Sequence, residues 1–237
     1  MTTFAADRSL PGFLRGFGRR AKLYDLLAAA PMILWYSWSF ISQAEGIVRR
    51  VQSIRTDPAV VSLLLEILSK LALFGFGIVL VFLLLIRRTP VKKHTGLAPR
   101  AIAFLGAYLG IAFLVLPVQP SKTILMDVSA FLIFAGMGLA FFTLFWLGRS
   151  FSIMPESRKL VTSGPYSIVR HPVYLGEQIA LVGVALQCTS PLAFLLFVLQ
   201  LGCQLYRMSY EERILVASFP EYRAYSTETA RILPWLY

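Results

Sequence analysis

The stretch GPYSIVRHPVYLGE, residues 164–177, sets Arg170, His171 and Glu177 among glycine, proline and tyrosine just before an apolar run. Further on, Gln200, Gln204, Arg207 and Glu211 are spaced 4, 3 and 4 apart, an interval that lines side chains along one helical stripe. Pro172 suits the first turn of a helix, where its missing N–H costs nothing, and it pushes His171 toward extended backbone. Arg170 and His171 then stand at a helix N-terminus, whose free N–H groups favour a carboxylate or phosphate. Gly164-Pro165-Tyr166 supplies a tight turn before them. Arg207, Glu211 and Glu212 follow the apolar run, so a helical hairpin would gather all these charges at one membrane surface. A stripe that begins among apolar residues and ends on charges predicts a pocket open to both lipid and water. Taken alone, Gln200 and Gln204 fit the simpler role of hydrogen bonding between neighbouring helices.

These residues need helices to hold them, and the composition says which kind. Of 237 residues, 57% are hydrophobic and 15% charged, whereas a soluble domain carries about a quarter charged residues. Several apolar runs reach the ~20 residues needed to cross a bilayer core. The chain reads as an all-α integral membrane protein of one domain, with N-terminal transmembrane helices over 1–147 and a cofactor-binding region over 148–237. The 23 Lys+Arg against 12 Asp+Glu give +11. Basic loops facing an anionic leaflet account for that excess. With no zinc-finger or RNA-binding signature, nucleic acid is not an expected partner. Cys188 and Cys203 fall on opposite arms of the hairpin, about 20 Å apart along the helices at 1.5 Å per residue. They read as packing residues rather than a disulfide, and no spacing supports a metal site.

Apolar segments at 24–42, 59–86, 101–117 and 128–147 are read as four spans, the first retained rather than cleaved. Residues 43–58 read as an interfacial amphipathic stretch. Glu66 and Lys70, four apart in the second span, read as a pair that neutralises two charges. Two shorter segments, 173–188 and 191–206, form a tight hairpin, each arm about 16 residues and barely long enough to cross. That makes about six helical segments. Lys and Arg concentrate in the N-terminus, the 87–100 loop, the 148–172 loop and the C-terminal tail. By the positive-inside rule both termini and the charged cluster face the cytoplasm. Gly136 and Gly138 are candidates for close helix packing.

LVTSGPYSIVRHPVYLGE and YRMSYEERILVASFPEYRAY together resemble the isoprenylcysteine carboxyl methyltransferase family and its bacterial relatives. The shared pattern is Leu-Val-x-x-Gly-x-Tyr, Arg-His-Pro-x-Tyr-x-Gly, a hairpin, Arg-x-x-x-Glu-Glu-x-x-Leu and Phe-x-x-Tyr-x-x-Tyr. It covers about 148–237. The compact size and divergent N-terminal half favour a bacterial inner membrane.

The resemblance implies S-adenosyl-L-methionine as cofactor and a lipophilic methyl acceptor drawn from the bilayer. It assigns cofactor contacts to Arg158, Lys159, Leu160, Val161, Tyr166, His171, Pro172, Val173, Tyr174 and Glu211. Where eukaryotic members often carry His-Thr, this chain has Arg158-Lys159, so only backbone or apolar contacts transfer there. Arg207 aligns with a substrate-contacting arginine, and Arg207 with Glu211 form the expected catalytic pair. No metal is implied. No strand-borne G-x-G-x-x-G is present, so a soluble dinucleotide-type site is not expected. The other readings are an NADPH-dependent membrane sterol or enone reductase, in which Glu177 would stand at an Asp position, and a non-catalytic relative.

Overall fold

The computed structural model describes residues 30, 33–41, 43–52, 59–86, 92, 93, 96–118, 123–151, 156–188 and 190–234. Residues 33–41 and 43–52 are helical and are together labelled α1. Then follow α2 (Val60–Ile86), α3 (Leu97–Tyr108), α4 (Thr123–Leu147), α5 (Pro172–Cys188), α6 (Pro191–Ser218) and α7 (Tyr222–Glu228). A two-residue antiparallel pair, β1 (Lys92–Lys93) with β2 (Glu156–Ser157), is the sheet among the described residues. The N-terminal basic segment, half of the 87–100 loop and the beginning of the 24–42 span lie outside the described residues.

Among the described residues, three helices are long and apolar enough to cross a membrane: Val60–Ile86, Ile124–Ser150 and Pro191–Ser218. Their outer faces expose large apolar side chains such as Phe131, Phe142, Phe145, Leu195 and Leu199, as a surface bathed in hydrocarbon requires. The chain is an all-α integral membrane protein.

Two expected spans differ from what forms. The 101–117 segment is a twelve-residue α-helix, α3, that tightens into a 3₁₀ stretch, Leu109–Val115. Leu116 then turns extended, φ −82° and ψ 140°, which is where a residue preceding proline is driven. The second hairpin arm is not 16 residues but 28, about 42 Å of helix. Hydropathy ends near residue 206, yet the helix continues because Arg207 and Glu211 pair four apart along it, Nε to Oε1 at 3.4 Å. Its start is sharp. Ser190 caps it by accepting from the Ala193 N–H at 3.1 Å, and Pro191 occupies the first turn.

The helices α4 and α5 pack most extensively, and small residues explain how. A Cβ added to Gly136 would sit 2.4 Å from the Ala180 nitrogen, and one on Gly176 2.5 Å from the Gly136 oxygen. Gly183 meets the Ser129 carbonyl in the same way. Ser129 also donates to the Gly183 carbonyl at 2.8 Å and accepts from Gln187 Nε2 at 2.8 Å, a polar lock of the kind that joins helices in lipid. Of the two candidate glycines, Gly136 makes the close approach, while Gly138 faces open space. On the other side of α4, Phe76, Leu80, Leu83 and Leu84 of α2 pack on Ala140 and Leu144. Glu66 pairs with Lys70 as expected, at 3.7 Å, and also with Arg50 of α1 at 3.0 Å.

Gly136→Ala is expected to cost about 2–3 kcal/mol by overpacking this crossing, and Gly138→Ala less than about 0.5 kcal/mol. Thermal unfolding of the two variants in the same detergent checks the difference.

Candidate active site

A cavity of about 570 Å³ runs between the helices, within the size range of small-molecule sites. Its polar end lies where the chain between α4 and α5 meets the C-terminal residues. Arg158, Lys159, Leu160, Val161 and Tyr166 line that end, with Arg170, His171, Tyr222 and Tyr225. Val173 and Tyr174 of α5 and Arg207 and Glu211 of α6 form its middle. Trp35, Tyr36, Trp38 and Ser39 of α1 contribute one wall. Of the expected contacts, Pro172 is not on the wall. It is fully buried as the first residue of α5 and acts on the site by setting the helix start.

Local sequence explains the turn. Gly164 has φ +63°, and a Cβ there would lie 2.5 Å from the Trp146 indole. Both the left-handed backbone and the close aromatic approach demand glycine. The 3₁₀ turn Gly164–Ser167 follows, and it brings Tyr166 inward, where its carbonyl accepts from the Tyr225 hydroxyl at 2.6 Å.

Glu211 and Glu212 are adjacent on α6, so they point about 100° apart around its axis. Glu211 turns into the cavity. It accepts from the Tyr174 hydroxyl and pairs with Arg207, and the Arg207 guanidinium lies 4.9 Å from the centre of the Tyr174 ring, a cation–π arrangement. Glu212 turns the other way, toward two arginines and a histidine. Its Oε1 lies 3.1 Å from Arg170 Nε, 3.0 Å from His171 Nε2 and 3.3 Å from Arg231 Nε. The anion that His171 meets is thus a carboxylate of this same chain. The imidazole stacks on Tyr174 at 5.5 Å.

Backbone bonds reinforce that cluster. The Arg170 N–H donates to the Ala230 carbonyl at 2.8 Å and the His171 N–H to Arg231 at 3.1 Å. The C-terminal segment 229–231 is thereby strapped across the start of α5. Burial raises the Tyr166 hydroxyl far above its ordinary pKa, with the Glu211 charge adding to the effect. Burial likewise pushes Tyr225 up to about 12, Arg170 partly opposing and Glu212 assisting. Both remain neutral hydrogen-bonding phenols at any working pH.

Sequence reasoning left Arg170, Tyr222, Tyr225 and Glu177 without assigned roles, although all four line the cavity. The spacing Phe219, Tyr222, Tyr225 was visible, but nothing local says that a short helix folds back onto Tyr166. Gln200 and Gln204 do bond between helices, the former accepting from Gln178 Nε2 at 2.7 Å, the latter donating to Glu177 at 2.8 Å. Among the described residues no group of three or more His, Cys, Asp or Glu is placed to hold a metal ion.

Glu212→Ala removes the carboxylate shared by Arg170, His171 and Arg231. The amides of Arg170 and His171, bonded to the strap, are expected to exchange with deuterium about 10-fold faster or more. Hydrogen-exchange mass spectrometry over residues 166–175 reads this, and amides within α2 serve as the internal reference.

Residues 122–222 match the family described as phospholipid methyltransferase. The match contains α4, α5 and α6, and so most of the walls just described. The cobalt-zinc-cadmium resistance protein CzcN of Cupriavidus metallidurans is 35% identical over 86 residues. That similarity covers 34% of this chain and 38% of the relative, so the two share only a part of their length. Over residues 122–222, the region that builds much of the cavity, the chain is similar to the phospholipid methyltransferase family.

Proposed function

We propose that the protein transfers a methyl group from S-adenosyl-L-methionine to a lipophilic acceptor at the cytoplasmic face of a bacterial inner membrane, through carboxyl O-methylation of an isoprenylcysteine-type substrate. The observation that carries this reading is a cavity with a polar end, an apolar end and the Arg207–Glu211 pair between them.

The residues present fit the cofactor. Arg158, Lys159 and Arg170 offer donors to its carboxylate, Glu211 an acceptor to its ammonium or ribose, and Tyr166 and Tyr222 flat walls to its adenine. Tyr174, with Arg207 on its ring, leaves an aromatic surface suited to a sulfonium. When bound, S-adenosyl-L-methionine supplies an electrophilic methyl group. Everything else falls to the protein. Arg207 holds the acceptor carboxylate. That group is already ionised at neutral pH and needs no general base. With the cofactor bound, the carboxylate held by Arg207 would accept its methyl group, the carbon–sulfur electron pair would stay with sulfur, and no proton would move. The chain contributes alignment and exclusion of water, worth up to about 7–11 kcal/mol for well-oriented reactants.

Glu211→Ala is expected to weaken binding of labelled S-adenosyl-L-methionine by about 10-fold or more, the scale of one charged hydrogen bond. Arg207→Ala is expected to lower kcat/KM for the acceptor by about 100-fold while cofactor binding falls far less. Unchanged turnover in both variants, or binding of NADPH in place of S-adenosyl-L-methionine, overturns the assignment.

A further inference from the structure

One short helix stands between the polar end of the cavity and water. On α7, Tyr222 and Tyr225 line the cavity, while Arg223, Ala224, Thr227 and Glu228 on its other face are exposed. The helix hangs from α6 by a bend. Phe219, just before Pro220, is extended at φ −134° and ψ 105°, as a following proline dictates. The chain leaves the axis of α6 there, and after α7 it returns through Thr229, Ala230 and Arg231 to the start of α5.

What holds this segment down is polar. The Tyr225 hydroxyl donates to the Tyr166 carbonyl at 2.6 Å, Arg170 Nη1 to the Ser226 carbonyl, and Arg231 Nη2 to Ser209 Oγ at 2.7 Å. The Arg170 and His171 amides bond the Ala230 and Arg231 carbonyls, and Glu212 joins Arg231 to Arg170 and His171. Among the described residues, neither apolar core draws a side chain from this segment; Tyr222 packs instead on Tyr225 of the same helix, ring centres 5.7 Å apart. Glu212 is 20% exposed, so water reaches the fastening. Bonds of this kind are exchanged for bonds to water at small net cost, whereas the crossing of α4 on α5 has no such substitute in lipid. Elements held in this way open locally while the rest of a fold stays shut.

The residues that fasten the segment also face the cavity. Tyr166, Arg170 and His171 line the polar end and each bonds residues between 225 and 231. A ligand at that end touches the same groups, so its binding and the closure of the segment strengthen each other. We propose that residues 220–231 are a lid over the polar end of the cavity, hinged at Phe219-Pro220 and latched by Glu212, and that the cofactor enters and leaves only when this lid lifts. The proposal rests on the S-adenosyl-L-methionine reading given above for the identity of the ligand, and on the fastening of the segment for the lid itself.

The test locks the lid reversibly. Val169 and Ala230 form a parallel bridge, so their Cα atoms stand about 4.8 Å apart, within the reach of a disulfide. In the full-length Val169→Cys/Ala230→Cys variant in lipid nanodiscs, oxidation is expected to slow both uptake and release of labelled S-adenosyl-L-methionine by about 10-fold or more, and dithiothreitol to restore them. The two single variants, oxidised alongside, control for the native Cys188 and Cys203. Glu212→Gln is expected to speed release about 10-fold. Equal exchange of cofactor by the oxidised and reduced forms, or unchanged release from Glu212→Gln, overturns the proposal. Deuterium exchange of the cofactor-free protein reads the lid without a ligand: amides of Tyr222–Glu228 are expected to exchange about 10-fold faster or more than those in the middle of α5, and to slow on oxidation. Exchange of the two at one rate overturns the lid. A wild type whose lid opens in this way but which binds no S-adenosyl-L-methionine overturns the cofactor reading and leaves the lid standing.

Discussion

Gly136 and Gly176 bring the backbones of α4 and α5 into direct contact, with no side chain between them. In hydrocarbon no hydrophobic force drives helices together, so packing and hydrogen bonds must do it. The glycines allow the approach, and Ser129, bonded to both Gly183 and Gln187, fixes the helices along their axes. Once α5 is pinned on this side, its opposite face is committed to the cavity. Tyr174, Glu177, Leu181 and Val184 then stand in a row from the charged end to the apolar end.

The second constraint is electrostatic. Five ionisable side chains, Arg170, His171, Glu211, Glu212 and Arg231, meet at the ends of α5 and α6, where each needs a partner to leave water. Successive positions on α6 divide the task. Glu211 faces Arg207 and Tyr174 within the cavity, and Glu212 gathers Arg170, His171 and Arg231, which hold the C-terminal strap. A single carboxylate could not do both, since one side chain cannot point in two directions around a helix.

Much of this was legible in the sequence, and the reasons differ from residue to residue. The spacing of Gln200, Gln204, Arg207 and Glu211 gave a stripe because helical periodicity is local, and Pro172 marked a helix start for the same reason. The length of α6 was not legible. Hydropathy reports where a helix leaves lipid, whereas Arg207 and Glu211 sustain helix beyond that point. The end of the segment after α3 at Leu116-Pro117 is a two-residue feature that an apolar window averages away. Placing Tyr225 beneath Tyr166, or Arg231 on Glu212, requires contacts between residues far apart in the chain, and no local pattern encodes them.

Because Gln200 through Glu212 lie on one uninterrupted helix, the parts of the site they serve share a single register. A one-residue deletion between Gln204 and Arg207 would turn every later side chain by about 100° and draw it 1.5 Å along the axis. Glu212 would then stand where Glu211 had stood, facing the cavity, and Arg213 would face the cations of the strap. Substitution can adjust this helix at any one position, but insertion or deletion reassigns all of them at once. The chain can change length in the segments around α6, and within it only at the expense of the whole site.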